Sequence, residues 1–197
     1  MKVLFIEARK KNLGIENFNL SILPKDIFLA YSVQFKELAE KLKIKLGARV
    51  KGFQQVLGCS KLKINYPILL VSSGKFHALN LALQGNSVYI LDNEIKKLDE
   101  NQVEKLKLKR KAALSRFLAS QKIGILVSSK PGQENLETAI NLKKKLEKKG
   151  KEASIFLADN INSSDLENFN IDSWLNTSCP SLSYDSRILN QWELEPV

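Results

Sequence analysis

Short runs of almost unbroken apolar residues, each only strand length, constrain this chain most. They are Pro67-Ile68-Leu69-Leu70-Val71, Ser87-Val88-Tyr89-Ile90-Leu91 and Ile123-Gly124-Ile125-Leu126-Val127. A strand with one face in water alternates apolar and polar residues, whereas a strand apolar throughout is covered on both faces. Sheets covered on both faces are built from parallel strands joined by helical crossovers. The segments between the runs carry the matching helical period.

The 33–44 segment places Phe35, Leu38, Ala39 and Leu42 on one helical side. Residues 76–83 read as a helix. Residues 99–121 form the longest helical pattern, with Val103, Leu106, Leu114, Phe117 and Leu118 apolar, Asp99 as N-cap and Gln102 placed for a capping box. A helix over 133–149 should stop at Gly150, as a glycine just past a helix end does. Further strands are expected at 2–8, 27–31, 153–157 and 171–175, with a short helix at 163–168. Residues 51–65 read as a loop. The fold class is therefore α/β, two similar three-layer domains with mainly parallel sheets. Residues 1–98 form one domain, 99–121 a linking helix and 122–197 the second domain. With 197 residues, each unit is small but holds a core if it packs on its neighbour.

Composition excludes several classes. A hydrophobic fraction of 44% argues against disorder. No run approaches the roughly 18 apolar residues of a membrane span. The start, Met1-Lys2-Val3-Leu4-Phe5-Ile6-Glu7, is too soon charged for a signal peptide. Two cysteines in a chain of this size are no disulfide scaffold, and the expected compartment is the reducing cytoplasm. The net charge of +10 falls largely on helical faces, which reads as solvated surface or as a footprint for an acidic partner. Aromatics are not interleaved with the basic runs, so direct nucleic-acid binding is not expected.

The cysteines stand 120 residues apart in distinctive settings: Gly52-Phe53-Gln54-Gln55-Val56-Leu57-Gly58-Cys59-Ser60 and Thr177-Ser178-Cys179-Pro180-Ser181-Leu182-Ser183-Tyr184-Asp185. Neither belongs to a CxxC pair. Each lies in a polar, turn-forming loop after a segment that reads as a strand. Two such thiols are either free cysteines or ligands brought together from two units to hold a metal cluster. A third segment, Ser72-Ser73-Gly74-Lys75-Phe76-His77-Ala78-Leu79, lies between a buried strand and a helix, where open α/β sheets bind ligands. Gly74 lets backbone approach a ligand, and the helix start favours an anion such as a carboxylate. His77 is the only histidine, and a lone histidine is more often structural than catalytic. Phe76, Trp174 and Trp192 are expected to pack in the core or against the tail.

Five segments carry a family resemblance. Gly52 to Cys59 resembles "GQ-[IV]-LGC", and Ser73-Gly74-Lys75-Phe76-His77 resembles "GDGRFH". Ser178 to Asp185 resembles "ACPRLSIDD", and Arg187-Ile188-Leu189-Asn190-Gln191-Trp192-Glu193-Leu194 resembles "P-V-L-T-P-x-E". Ser32-Val33-Gln34-Phe35 is similar to "ST-[IV]-Q-[FYH]". These are segments of the diphthamide-synthesis iron–sulfur proteins, radical S-adenosylmethionine (SAM) enzymes, and they stand in the family's order nearly end to end.

The resemblance implies three similar α/β domains around a pseudo-threefold axis, each giving one cysteine to a 4Fe-4S cluster with one iron open to SAM. It implies transfer of a 3-amino-3-carboxypropyl group from SAM to a histidine of translation elongation factor 2. On it, Cys59 and Cys179 are cluster ligands, and Gln34, Gly74, Lys75, Phe76, His77 and Asp185 lie near SAM. Asp185 also suits an Asx-type turn that positions the cysteine loop. The chain departs from the pattern: it begins where the second domain would, so the expected partner is a first-domain polypeptide or another copy. Ser72-Ser73 replaces Gly-Asp, and Lys75 and Ser181 replace arginines, which removes planar bidentate carboxylate binders. Two functions follow: part of a split carboxypropyltransferase, or an accessory subunit or α/β interaction module without SAM chemistry.

Overall fold

A computed structural model describes residues 4, 6–10, 14–16, 18–162, 164–183 and 188–194. The chain divides into two compact units, Met1–Leu106 and Lys107–Val197. Each holds a mainly parallel sheet.

In the first unit the strands are β1 (Ile27–Tyr31), β2 (Val50–Gln55), β3 (Ile68–Val71), β4 (Val88–Leu91) and β5 (Ile95–Lys97), in the order β2-β1-β3-β4-β5. All neighbours are parallel except β4 and β5, which form an antiparallel edge. Helix α1 (Lys36–Leu46) joins β1 to β2, and α2 (Phe76–Leu83) joins β3 to β4. Strand alternation sends Leu29, Tyr31, Leu69 and Val71 toward α1, where Leu38, Ala39 and Leu42 meet them. Ile68 and Leu70 point to the opposite face and are equally inaccessible, as the apolar run requires. Burying each such side chain stabilises the fold by about 1.5–3 kcal/mol.

The second unit repeats the pattern with β6 (Lys122–Ser128), β7 (Glu152–Ala158), β8 (Ser173–Asn176) and β9 (Leu189–Asn190), in the order β7-β6-β8-β9, all parallel. Strand for strand this is the order of β1 to β4. Helix α4 (Leu136–Lys148) joins β6 to β7, and its Ala139 and Leu146 pack with Ala113 and Phe117 of helix α3 (Glu100–Ala119) against Ile123, Ile125 and Val127. The other sheet face is covered by the connection after β7, whose described residues include the 3-10 turn Asp165–Asn168. Gly124 makes room there for the Trp174 ring, since a Cβ on it would lie 2.2 Å from that ring. Trp174 stacks edge-on with Phe156 at 4.8 Å, in the core as its sequence suggests, while Trp192 is half-buried.

Several helix boundaries follow local chemistry. Asp99 caps α3 by accepting from the Asn101 N–H at 2.9 Å. Gly150, at φ 78°, closes α4: its N–H reaches Glu147 O, and the Lys151 N–H reaches Leu146 O, the paired bonds of a Schellman motif.

Other expectations need correction. Residues 50–55 belong to strand β2, so the loop expected at 51–65 starts only after Gln55. The segment is too polar to read as buried because β2 is an edge strand with exposed positions. The strand expected at 2–8 is not formed at Leu4 or at residues 6–8; Leu4 and Ile6 are about four-fifths exposed, so their apolar side chains bury too little to hold a strand in place. The rest of that segment lies outside the described residues. Helix α4 starts at Leu136 rather than at 133: Asn135, at φ −130° and ψ 47°, is its non-helical N-cap residue, and its Nδ2 donates to Thr177 O at 2.7 Å.

Candidate functional site

In the first unit, the motif segments leave the carboxyl ends of three adjacent parallel strands. The last paired residues are Tyr31, Gln55 and Val71, with Tyr31 in register with both others. Gln34 and Gly74 each lie three residues past their strand end, and Cys59 lies four past Gln55. The chain leaves β1 toward β2 on one side, and β3 lies on the other. This reversal of strand order opens a crevice where α/β sheets take ligands.

The Cys59 loop is built against α2. Leu57 N–H donates to Ser60 Oγ at 2.8 Å, and Ser60 N–H donates to Leu57 O at 3.0 Å, closing a turn around Gly58 and Cys59. From α2, Gln84 Nε2 donates to Ser60 O at 3.0 Å, and Gln84 Oε1 accepts from Leu62 N–H at 2.8 Å. Asn86 Nδ2, beyond the helix end, bridges Leu62 O and Leu81 O, each at 3.0 Å. The ring of Phe76, first residue of α2, fills the space over Gly58. This framework leaves Cys59 exposed as a free thiol.

The residues read from sequence as ligand-binding are dispersed around this edge. Gln34 is exposed in the 3-10 turn Val33–Phe35, and its carbonyl accepts from Lys10 N–H at 2.8 Å. Gly74, at φ 82°, and Lys75 line a cleft of about 330 Å³ whose other walls include Asp92, Glu94 and Gln102. The Phe76 ring packs against the Cys59 loop over Gly58. His77 stands edge-on to Phe76 at 5.7 Å and is half-buried, and burial pushes its pKa below the usual imidazole value. It is therefore neutral near pH 7, able to accept or donate one hydrogen bond.

In the second unit, Cys179 follows β8 and is half-buried. Its loop is bound to the sheet by buried polar groups. Thr177 Oγ donates to Leu126 O at 2.8 Å, and Ser128 N–H donates to Ser178 Oγ at 2.7 Å. Asn176 holds both Ser178 and Cys179 through its amide. Downstream, Glu193 accepts from Arg110 of α3 and from Asn190 N–H, and Arg110 also donates to Ile188 O at 2.8 Å. Glu193, the acidic end of the closing motif, is thus a structural clamp. Asp185 lies outside the described residues.

The topological repeat does not put the two thiols on equivalent connections. Cys59 sits on the crossover from β2 to β3, and Cys179 on the one from β8 to β9, whose counterpart in the first unit carries Gly74 to His77. The anchors Gln84, Asn86, Asn176 and Asn190 were not singled out from sequence. One signal was available for Asn176, an amide ending an otherwise apolar strand immediately before a cysteine loop. Both thiols suit iron, which takes thiolates from loops shaped by backbone hydrogen bonds. Among the described residues, no three His, Cys, Asp or Glu side chains form a metal-binding group.

The fold and the two cysteine loops define an α/β protein of the diphthamide-synthesis type. The family model for diphthamide synthesis proteins matches residues 1–194, and the chain belongs to this family. It is 30% identical to the 2-(3-amino-3-carboxypropyl)histidine synthase of Pyrococcus horikoshii over 93% of this chain and 57% of that protein. It is 27% identical to the enzyme of the same name from Methanocaldococcus jannaschii, over 84% of this chain and 48% of the other. The chain thus spans about half the length of these curated relatives. The crystal structure of Dph2 from P. horikoshii superposes with a TM-score of 0.74 at 26% identity, covering 88% of this chain and 57% of that one. The structure of Dph2 from the same organism with a 4Fe-4S cluster gives 0.73 at 27% identity.

Proposed function

We propose that this chain takes part in the first step of diphthamide formation, the transfer of a 3-amino-3-carboxypropyl group from SAM to a histidine of translation elongation factor 2. In this reading Cys59 and Cys179 each supply a thiolate to a 4Fe-4S cluster. A further ligand comes from a first-domain polypeptide or another copy of the chain. The observation that carries the reading is the family match over residues 1–194 together with a cysteine in each of the two matched loops. No helix among the described residues is long and apolar enough to cross a membrane, and the proposed setting is the cytoplasm, where thiols stay reduced.

The bound cluster would supply one electron to the sulfonium, which breaks a carbon–sulfur bond. The chain's own residues bind and orient. Gly74 allows backbone approach, and Lys75 offers a cation to the amino-acid carboxylate. The neutral His77 imidazole and Gln34 offer polar contacts at the same sheet edge. Because lysine offers point charge where arginine offers a planar fork, carboxylate grip is weaker than in the family pattern.

That weakness supports a second reading, an accessory subunit or α/β interaction module without SAM chemistry. Anaerobic reconstitution with iron and sulfide, alone and with a candidate partner, followed by transfer of label from SAM to elongation factor 2, separates the two. Label on the factor, lost in Cys59→Ala and Cys179→Ala, establishes the transferase. A complex that holds a cluster but binds no SAM and transfers nothing establishes the accessory role.

A further inference from the structure

Asn176, the last residue of β8, is completely inaccessible to solvent. Its register partner on β6, Leu126, is apolar and almost as buried, so packing alone would favour an aliphatic residue here. An amide in such a place is costly unless its hydrogen bonds are met. These bonds go to the turn that follows. Asn176 Oδ1 accepts from Ser178 N–H at 2.9 Å, and Nδ2 donates to Cys179 O at 2.9 Å. The second Nδ2 hydrogen goes to Asn190 Oδ1 at 2.9 Å.

The amide has only one workable orientation. Flipped, its NH₂ would face the Ser178 N–H, and its oxygen would face two acceptors. Asn190, which helps set that orientation, is held by its backbone bond to Glu193, and Glu193 is gripped by Arg110. A chain of contacts thus runs from helix α3 and the closing segment to the backbone on both sides of the Cys179 peptide. Fixing Ser178 N–H and Cys179 O fixes the direction in which the Cys179 side chain leaves the backbone.

We propose that Asn176 is a positioning residue for the Cys179 thiol, with Asn190, Glu193 and Arg110 holding its amide in the donating orientation. What the thiol is positioned for rests on the proposed function; the positioning does not.

The test uses the full chain with both cysteines. Alkylation of each thiol by iodoacetamide is followed by mass spectrometry under native conditions, with Cys59 as internal reference. Asn176→Asp keeps shape and the acceptor for Ser178 N–H but loses both donors. It is expected to raise the Cys179 rate relative to Cys59 about tenfold, the scale of one lost buried hydrogen bond. Asn190→Ala, which leaves Asn176 both bonds to the turn, is expected to give a smaller rise. Ile123→Val thins the core on the other face of the same sheet without touching the turn and should leave the ratio unchanged.

A second arm reads the reduced cluster by electron paramagnetic resonance after iron and sulfide loading. Asn176→Asp is expected to alter the signal, and Ile123→Val to preserve it. An unchanged rate ratio in both asparagine variants, or an equal rise in Ile123→Val, overturns the proposal and leaves Asn176 a core residue. If Asn176→Asp fails to fold, Asn190→Ala against Ile123→Val decides by the same criterion. If the wild-type chain takes up no iron with any partner, the proposed function falls, while the alkylation ratios still decide the positioning.

Discussion

A Cβ added to Gly58 would lie 2.1 Å from Cε1 of Phe76, so the residue before Cys59 and the first residue of α2 are fitted to each other. Two segments 18 positions apart in sequence, one carrying the thiol and one opening α2, are therefore packed directly against each other. Gly58→Ala should destabilise the first unit by about 1–3 kcal/mol, because the ring and the loop must shift together. Phe76→Leu should also destabilise. The double variant should lose less than the sum, since the smaller side chain makes room for the methyl group. Urea unfolding midpoints of the four proteins check the coupling.

His77 makes a prediction about acid. Its folded pKa lies below the ordinary imidazole value because of burial, so between the two values the unfolded chain binds the proton that the folded one refuses. The His77 contribution is flat above about pH 6.5, the unfolded value, and stability then falls as pH drops toward the folded pKa. Replacing His77 by Gln should flatten this part of the profile, measured as unfolding midpoint against pH from 7 to 5.

Asp172 should act in a lower window. Its carboxylate accepts from Lys122 N–H at 2.7 Å and Gln121 N–H at 3.0 Å, and these bonds hold its pKa below the usual aspartate value. Its contribution is present above the unfolded value of about 3.9 and is lost as pH falls through the folded one. Asp172→Asn should therefore remove part of the acid sensitivity below pH 4 and leave the His77 window unchanged, which a two-variant pH titration resolves.

Arg110 and Glu193 are only 10% and 20% exposed at their side chains. Removing one partner leaves the other charge poorly solvated, so Arg110→Ala should destabilise the second unit by about 3 kcal/mol. Glu193→Ala should do the same, and the loss should change little with added salt, because a part-buried pair is weakly screened. Thermal unfolding in low and high salt tests this. Breaking Lys97 from Glu100, an exposed pair, should change stability little in the same comparison.

If Lys75 meets a carboxylate, Lys75→Arg should tighten binding of SAM to the reconstituted complex by about three- to tenfold through a bidentate contact. Lys75→Ala should weaken it. Equilibrium dialysis with labelled SAM gives both values, and an unchanged constant in both variants removes Lys75 from the ligand site.

The apolar runs at Ile68–Val71 and within Lys122–Ser128 were legible as buried parallel strands, and Asp99 and Gly150 as helix ends, because those signals reside in a few consecutive residues. The cysteine loops were legible too, through local motif and turn chemistry. Edge strands were not. Nothing in Lys51-Gly52-Phe53-Gln54-Gln55 demands pairing until β1 offers a ladder, and the antiparallel β5 depends on β4 in the same way. The roles of Asn135, Asn176 and Glu193 were hidden for a related reason. An amide or carboxylate looks like surface until its partners 42, 14 and 83 positions away come within hydrogen-bond reach. Periodicity and caps are short-range properties carried by the chain itself. Which polar group is satisfied by which distant partner exists only once the sheet has brought them together.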